Sequence, residues 1–570
     1  MTIYSIYSAL KFKALVQLTC IVAVFSACES LDNSITSDPY GGGKEALGIK
    51  LSSDSPSPAD GYPGDTIVFS GKGFLDYCNP DADEYEFTFY IADVATPIQA
   101  ATDTTLTVVV PENVCSGITC LVIDNQVFYG PNFPVLGNVE VDEEYGLYDV
   151  GTDDIIYDYL ENSYISADHN YYLVGAYTSI GGSSFYGIGL VDEDGDVASK
   201  NSTYFDISKG LLTTDLNSSP YIRSISYFDD GQMLISGNFS AYESDNNSNE
   251  IDLGDVIYVN NIAVLEHTAF PDTTNYYFEE NYNSKGSFDP VGLSTFNGGS
   301  KQTVLRSFIT DNQQVIAVGN LTQYCTNEYA SYYSLSEEVV TQVATVMRMN
   351  RDGTLDETYR SVDNGYIGVE GGSVNDAYMD ENEGIVLVGD FTSFDGIDAP
   401  GIVRLDADGN VDENFLANIG SGIDGEITSV RYNAALDKAV LVGKFSTFNG
   451  QAIARIAIIN ADGTLDETFV PLEFAGGYPN FASIINKEKV IVSGAFTTYG
   501  AVPRPGFLIL DMDGTATQAY NVCGTFSGQL QQVVEAETSI GGYGLLLMGE
   551  ISRFNGDDAH NIVMLSANFD

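Results

Sequence analysis

Ile427-Thr428-Ser429-Val430-Arg431-Tyr432-Asn433, Ala439-Val440-Leu441-Val442-Gly443-Lys444-Phe445 and Ala454-Arg455-Ile456-Ala457-Ile458-Ile459-Asn460 are three strand-length runs in one short stretch of chain. A turn, Asn460-Ala461-Asp462-Gly463, and a fourth run, Thr464-Leu465-Asp466-Glu467-Thr468-Phe469, complete the unit. Each run is rich in Val, Ile or aromatics and is bounded by Asn, Asp or Gly, the pattern of β-strands. Asp462-Gly463 predicts a type I′ hairpin turn, which needs φ > 0 at both central residues. No window longer than about ten residues past the first 27 has helical apolar periodicity.

The centre of this unit recurs. It reads VGAYTSIGG at 174–182, SGNFSAY at 236–242, VGNLTQY at 318–324 and VGDFTSFDG at 388–396. It returns as VGKFSTFNG at 442–450, SGAFTTYG at 493–500 and MGEISRFNG at 548–556. The central glycines, Gly175, Gly237, Gly319, Gly389, Gly443, Gly494 and Gly549, are spaced by 62, 82, 70, 54, 51 and 55 residues. Such self-similarity marks a repeat architecture. Four antiparallel strands per copy describe one propeller blade, and a closed propeller holds ~4–8 of them. A Gly at one fixed place in a strand marks a bulge or a close backbone approach, so these glycines are expected to be structural. The long spacings place insertions at 243–257, 272–298 and 325–340, either solvated loops or a binding rim on a rigid scaffold. The last copy stops at Asp570 where its final strand is due, while residues 149–157 resemble the fragment 461–469. A displaced strand is therefore expected: residues 147–159 pairing with the sheet of 545–565, which leaves no open edge.

DADGNVDENF at 406–415, NADGTLDETF at 460–469 and NRDGTLDETY at 350–359 resemble the delta-60 repeat, a bacterial family assigned to β-propellers. The resemblance spans roughly 147 to 570, with its first two copies the most divergent. It implies architecture and no chemistry. Residues 64–74 (GDTIVFSGKGF), 105–111 (TLTVVVP) and 130–133 (GPNF) resemble an IPT/TIG domain, an immunoglobulin-like sandwich. The resulting expectation is all-β: an N-terminal immunoglobulin-like sandwich at 46–141, followed at 142–570 by a seven-bladed β-propeller closed by strands from both ends of the repeat region.

Lys11 and Lys13 precede an apolar run ending Phe25-Ser26-Ala27-Cys28, the layout of a secretory signal. The cut before a Cys resembles a bacterial lipobox, which implies a signal peptide at 1–27, a lipid on Cys28 and a flexible tether at 28–45. An ordinary signal peptide or an uncleaved anchor is the alternative. The acidic residues that follow Cys28 resemble the surface-export tags of outer-membrane lipoproteins, which implies a lipid-anchored outer-membrane location facing the cell exterior.

Lys and Arg number 23 against 80 Asp and Glu, a formal charge of −57. Nucleic-acid binding rests on Lys and Arg neutralising phosphates, so a nucleic-acid partner is excluded. Anionic headgroups would repel the chain, so lipid rather than charge must hold it to a membrane. Cys78, Cys115 and Cys120 fall in the sandwich, where two of them could pair; sequence does not choose which. Asp192-Glu193-Asp194-Gly195-Asp196 and Asp406-Ala407-Asp408-Gly409 read either as hairpin turns or as calcium loops, so calcium is the one cofactor weighed. His169, His267 and His560 sit in unrelated contexts, and no nucleophile elbow, phosphate loop or HExxH is present. A non-enzymatic role is expected. The leading class is a cell-surface binding or accessory module of an outer-membrane transport or nutrient-capture assembly, with a TonB-dependent (SusC/SusD-type) transporter among the candidate partners. The alternative is a scaffold subunit of an outer-membrane complex with no small ligand.

Overall fold

The computed structural model describes residues 47–569, except 80–83, 147–153, 163–169, 186, 193, 198–209, 213–218, 244–255, 268, 270–271, 277–290, 330–334, 361 and 363–364. The signal peptide, the tether and Cys28 lie outside the described residues. Contacts divide the chain into Met1–Lys50 and Leu51–Asp570, and everything below concerns the second unit. It is all-β, with one short α-helix, Glu413–Ile419, among the described residues.

Its N-terminal part has two facing sheets. One contains Thr66–Lys72, Thr105–Val109 and Ile98–Ala101; the other runs Gln126–Phe133, Gly117–Ile123, Thr88–Ile91, Val94–Ala95. Alternation sends Ile67 and Phe69 inward, while Thr66, Val68 and Ser70 face away from the core. Phe69 meets Phe89 and Phe133 of the opposite sheet at centroid distances of 4.9 and 5.8 Å, which fixes the core between the layers.

Among the described residues, the rest contains seven main sheets in which the second strand lies between the first and third, with small two- and three-stranded sheets inserted beside them. In the unit quoted first, these strands are Glu426–Asn433, Lys438–Lys444 and Ile456–Asn460. Middle strands such as Ile385–Gly389 are buried at every position. A sheet covered on both faces needs unbroken apolar runs rather than alternation, which explains the repeated VLVG. The seven first strands succeed one another in contact, and the seventh, Ser527–Glu537, also packs against the first, Ile155–Asn162.

The central glycines do what their spacing predicts. A Cβ on Gly443 would lie 2.1 Å from the carbonyl oxygen of Glu426 on the neighbouring strand. The other six meet a carbonyl oxygen the same way, all at 2.0–2.7 Å. In six of the sheets the register slips there by one residue, at 156/158, 222/224, 374/376, 427/429, 479/481 and 530/532. Each is a β-bulge that leaves one first-strand residue unpaired. Each central glycine also donates its N–H, at 3.0–3.2 Å, to the carbonyl of the residue that opens the third strand: Gly187, Asn261, Thr345, Gly401, Arg455, Gly506 or Asn561. All seven acceptors have positive φ.

Three expectations are corrected. The fourth run does not become a strand. Only an isolated bridge, Ile459 with Leu465, continues the sheet, with equivalents at Met349–Leu355 and Leu405–Val411. The conserved spacing of the Asp in LDETF explains why. Asp466 Oδ1 accepts from the N–H and hydroxyl of Thr468 at 3.0 and 2.6 Å, turning the chain off the ladder, while Lys438 holds its other oxygen. Asp356 does this with Thr358 and Arg348. Asp412, held by Arg404, goes further and caps the helix through the N–H groups of Asn414 and Phe415.

The type I′ turn is also displaced. At Asp462-Gly463 only Gly463 has positive φ, +86°, so the turn is a three-residue loop ending in a left-handed glycine. Paired positive values instead occur at Asn449-Gly450 (47° and 73°) and Asp395-Gly396 (51° and 74°), in the small hairpins that follow the central glycine.

Finally, the strand that joins the ends is Val139–Val141, antiparallel to Ile562–Ala567, with Val139 opposite Ala567 and Val141 opposite Leu565. Residues 155–162 pair with Asn170–Ala176 in the first repeat sheet instead, and 147–153 lie outside the described residues. The reason is burial. Val139 fills the core beside Phe526 and Leu545, whereas Ile155–Asn162 is the first strand of its own sheet, bulged opposite Gly175. Asp142 locks the junction by accepting from Ser539 N–H at 2.9 Å and Oγ at 2.8 Å.

Candidate functional site

Two cavities stand where the repeat geometry gathers polar side chains. The larger, about 870 Å³, is a cleft lined by the second and third repeat sheets. Tyr221, Tyr258, Asn260, Gln302 and Asn320 line it, with Asn327 and Glu338 from the hairpin Gln323–Tyr329/Leu335–Gln342. That hairpin carries the described residues of the insertion 325–340, so one of the three inserted segments contributes to the cleft wall. Amides brace its walls. Asn260 Nδ2 donates to Asn327 Oδ1 at 3.2 Å, and Asn261 Nδ2 donates to the Ser300 carbonyl at 2.9 Å. Asn297 and Asn327 exchange side-chain and backbone bonds at 3.0 and 2.9 Å. Lys301 and Glu338 form an ion pair that cancels the cleft's two charges. The lining thus mixes amides, hydroxyls and tyrosine with the apolar Phe239, Val259 and Leu305, a surface suited to holding a polar ligand with some apolar area.

The second cavity, about 270 Å³, is lined by the first strands. Five of its walls are the unpaired bulge residues Tyr157, Arg223, Asn375, Thr428 and Gln531. Repeat glycines and cavity lining are therefore linked: six of the glycines face a bulge, and five of those bulges place a side chain on the cavity wall. Charges meet there too. Asp376 accepts from Arg306 Nε at 2.8 Å and from Arg431 Nη1, on the strands before and after its own. Burial opposes ionisation of Asp376, but the two guanidiniums outweigh it and hold the carboxyl well below the usual range. Arg431 Nη2 reaches the Gln531 carbonyl at 2.6 Å, joining the fifth and seventh sheets. Asp158 accepts from the N–H of Ile225 at 3.3 Å and from Gln532 Nε2 at 3.3 Å, joining the second and seventh to the first. Burial pushes its carboxyl up, only partly offset by Arg306. No sequence motif announced this network, because each copy contributes a different residue type.

The residues singled out from sequence fall elsewhere. Asp406 Oδ1 accepts from the N–H groups of Asp408 and Asn410 at 3.0 and 2.8 Å, and Asp192 Oδ1 from those of Asp194 and Asp196 at 3.1 and 2.8 Å. These carboxylates cap their own turns. Cys78, Cys115 and Cys120 are unpaired thiols: Cys115 is buried, while Cys120 sits on the outward face of its strand. His267 and His560 are far apart in the chain and contribute to neither cavity described above, and His169 lies outside the described residues.

A domain-of-unknown-function family, DUF5008, matches residues 23–131, and another, DUF5124, matches 135–229. A third, described as a domain of unknown function (DUF5122) beta-propeller, matches 384–415 and 437–469, the copies that contain DADGNVDENF and NADGTLDETF. No curated protein matches the chain. Among solved structures, the WD40 beta propeller domain of Doa1 is 10% identical, with 75% of this chain and 97% of that one covered and a TM-score of 0.35. YCF48 bound to D1 peptide is 10% identical, covering 75% and 96%, with a TM-score of 0.34. An auxiliary nutrient binding protein from Bacteroides thetaiotaomicron VPI-5482 is 12% identical, covering 78% and 94%, with a TM-score of 0.25.

Proposed function

We propose that this chain is a lipid-anchored binding or accessory module on the outer surface of a Gram-negative cell. It serves an outer-membrane transport or nutrient-capture assembly, with a TonB-dependent SusC/SusD-type transporter as the candidate partner. Cys28 carries the lipid, the immunoglobulin-like IPT/TIG part acts as a spacer, and a seven-bladed propeller of delta-60 repeats, closed by strands from both ends, presents the site. The observation that supports binding is the cleft of about 870 Å³, walled in part by the inserted hairpin and lined by amides, hydroxyls and tyrosine beside apolar side chains. A volume of that order suits a small organic ligand. The test is a thermal-shift screen of residues 46–570 against neutral oligosaccharides and peptides, repeated with Tyr258→Ala. A shift abolished by that substitution supports capture; no shift with any probe counts against it.

One observation favours the scaffold alternative. Ile118, Val127 and Tyr129 are exposed on one face of the sheet edged by Gln126–Phe133, beside Val122 and Cys120. An apolar face next to an open edge fits a protein partner. Recovery of a fixed set of envelope proteins with the tagged chain, lost on Tyr129→Lys, would support this second reading.

A further inference from the structure

We propose that the cavity among the first strands is an oxyanion site, taking a phosphate, a sulfate or a carboxylate on Arg223. The cleft plays no part in it. In a chain with 23 basic residues against 80 acidic ones, three arginines, Arg223, Arg306 and Arg431, converge on one cavity of about 270 Å³. Two are spoken for. Arg306 and Arg431 share Asp376, and Arg431 also bonds the carbonyls of Val430 and Gln531. Arg223 has neither a carboxylate nor any hydrogen-bond acceptor among the described residues. It has only the Tyr157 ring, 4.8 Å from its guanidinium carbon. Its Nε is out of solvent and unmatched. A guanidinium carries five donors in a fixed fork, and leaving such a group desolvated and unpaired is costly. Repulsion from Arg306 adds to the cost and, with burial first, lowers the affinity of Arg223 for its own proton.

Two acids need placing. Asp376 is neutralised by its two arginines. Glu550 also borders the cavity but is itself exposed to solvent. What remains at the Arg223 end is an unanswered positive charge beside neutral groups. The bulge at 222/224 is what aims Arg223 there, and the same device delivers Asn375, Thr428 and Gln531. A backbone device repeated in five copies, with a different side chain in each, is the form a recognition cup takes, since bulges re-aim side chains at sites.

The experiment is equilibrium dialysis of residues 46–570 with radiolabelled sulfate, phosphate or acetate, at ionic strength fixed with chloride. The three arms distinguish inorganic oxyanions from a carboxylate. One saturable anion per chain is expected, weakened at least about tenfold in Arg223→Gln, the scale of losing charge-assisted bonds. Arg223→Lys should restore part of the affinity, and Lys301→Gln in the cleft should leave it unchanged. Arg223→Gln should also unfold at a higher temperature than the parent without anion, because an unpaired buried charge is removed, and should lose the parent's stabilisation by the anion. No saturable binding below about 10 mM, a dissociation constant worth under 3 kcal/mol, overturns the proposal. Binding undiminished in Arg223→Gln overturns it equally.

Discussion

Gly443 lies so close to Glu426 that a side chain on the glycine would collide with the glutamate's carbonyl oxygen, 2.1 Å from the Cβ position. The obstacle is backbone paired in the sheet, so it cannot swing aside. Gly443→Val should therefore destabilise the fold by about 2–4 kcal/mol, the range for a forced backbone defect. Denaturant unfolding of the variant would show a lower midpoint. An unchanged midpoint would refute the steric account of the repeat.

Arg455 occupies a left-handed conformation, φ +64°, where Gly401 and Gly506 stand in the adjoining copies. Its carbonyl accepts the Gly443 N–H at 3.2 Å, a bond any residue can supply. Arg455→Gly should raise stability by roughly 0.5–1 kcal/mol, the scale of relieving a strained non-glycine position less the entropy glycine adds to the unfolded chain. A melting temperature that falls would show that the arginine side chain matters more than its backbone.

Asp466 should make stability depend on acid. Burial opposes its charge, but bonds from Lys438 and Thr468 outweigh that and hold the carboxyl below its ordinary value of about 3.9. A depressed folded-state value means stabilisation that is complete above about pH 4 and is lost as pH falls through the lower, folded value. Asp356 and Asp412 are lowered likewise and act with the same sign. Melting temperature should drop on acidification from pH 4 to 2, and less steeply in Asp466→Asn. Equal slopes for parent and variant would remove Asp466 from the account.

Val139 is buried while Glu140 beside it is exposed and Val141 is only partly buried, so Val139 is the main apolar anchor of the short strand that joins the last sheet. Val139→Asp should cost about 3 kcal/mol or more, as burying an unpaired charge does. Hydrogen exchange should then quicken selectively in the Ile562–Ala567 amides. Protection there equal to the parent's would mean that the last sheet stands without this strand.

Cys28→Ser should move the protein from the membrane pellet to the soluble fraction, because acylation rather than charge is proposed to hold a chain of net charge −57. Retention in the pellet would discard the lipid anchor.

Features carried by every copy were legible in the sequence. The glycine as a close backbone approach and the apolar middle strands follow from the hydrophobic-x-Gly spacing, whereas the expected fourth strand forms only isolated bridges. Features carried once were not. Val139–Val141 is three residues long, lacks the motif, and is recognisable only by its partner. Arg306, Asp376 and Arg431 lie in three different copies and meet only because the first strands converge. The Asp of LDETF was visible as a spacing, but its effect of diverting the chain depends on a base, Lys438, two strands away. The turn class at Asp462-Gly463 was misjudged because Asp-Gly serves two loop lengths, and the three-residue loop is indistinguishable from the two-residue one until the register is known.

The pairing of Val139–Val141 with Ile562–Ala567 also sets a timetable for the nascent chain. The two partners are some four hundred residues apart. As the chain emerges N-terminus first, the early strand waits for the whole repeat region to follow before its mate exists. Until then the last sheet is incomplete, with backbone groups open to any passing strand. Contacts this distant in sequence also form late, after a large loss of chain entropy. A strongly acidic chain, repelling its own copies, is well matched to surviving that wait without sticking to the next one made.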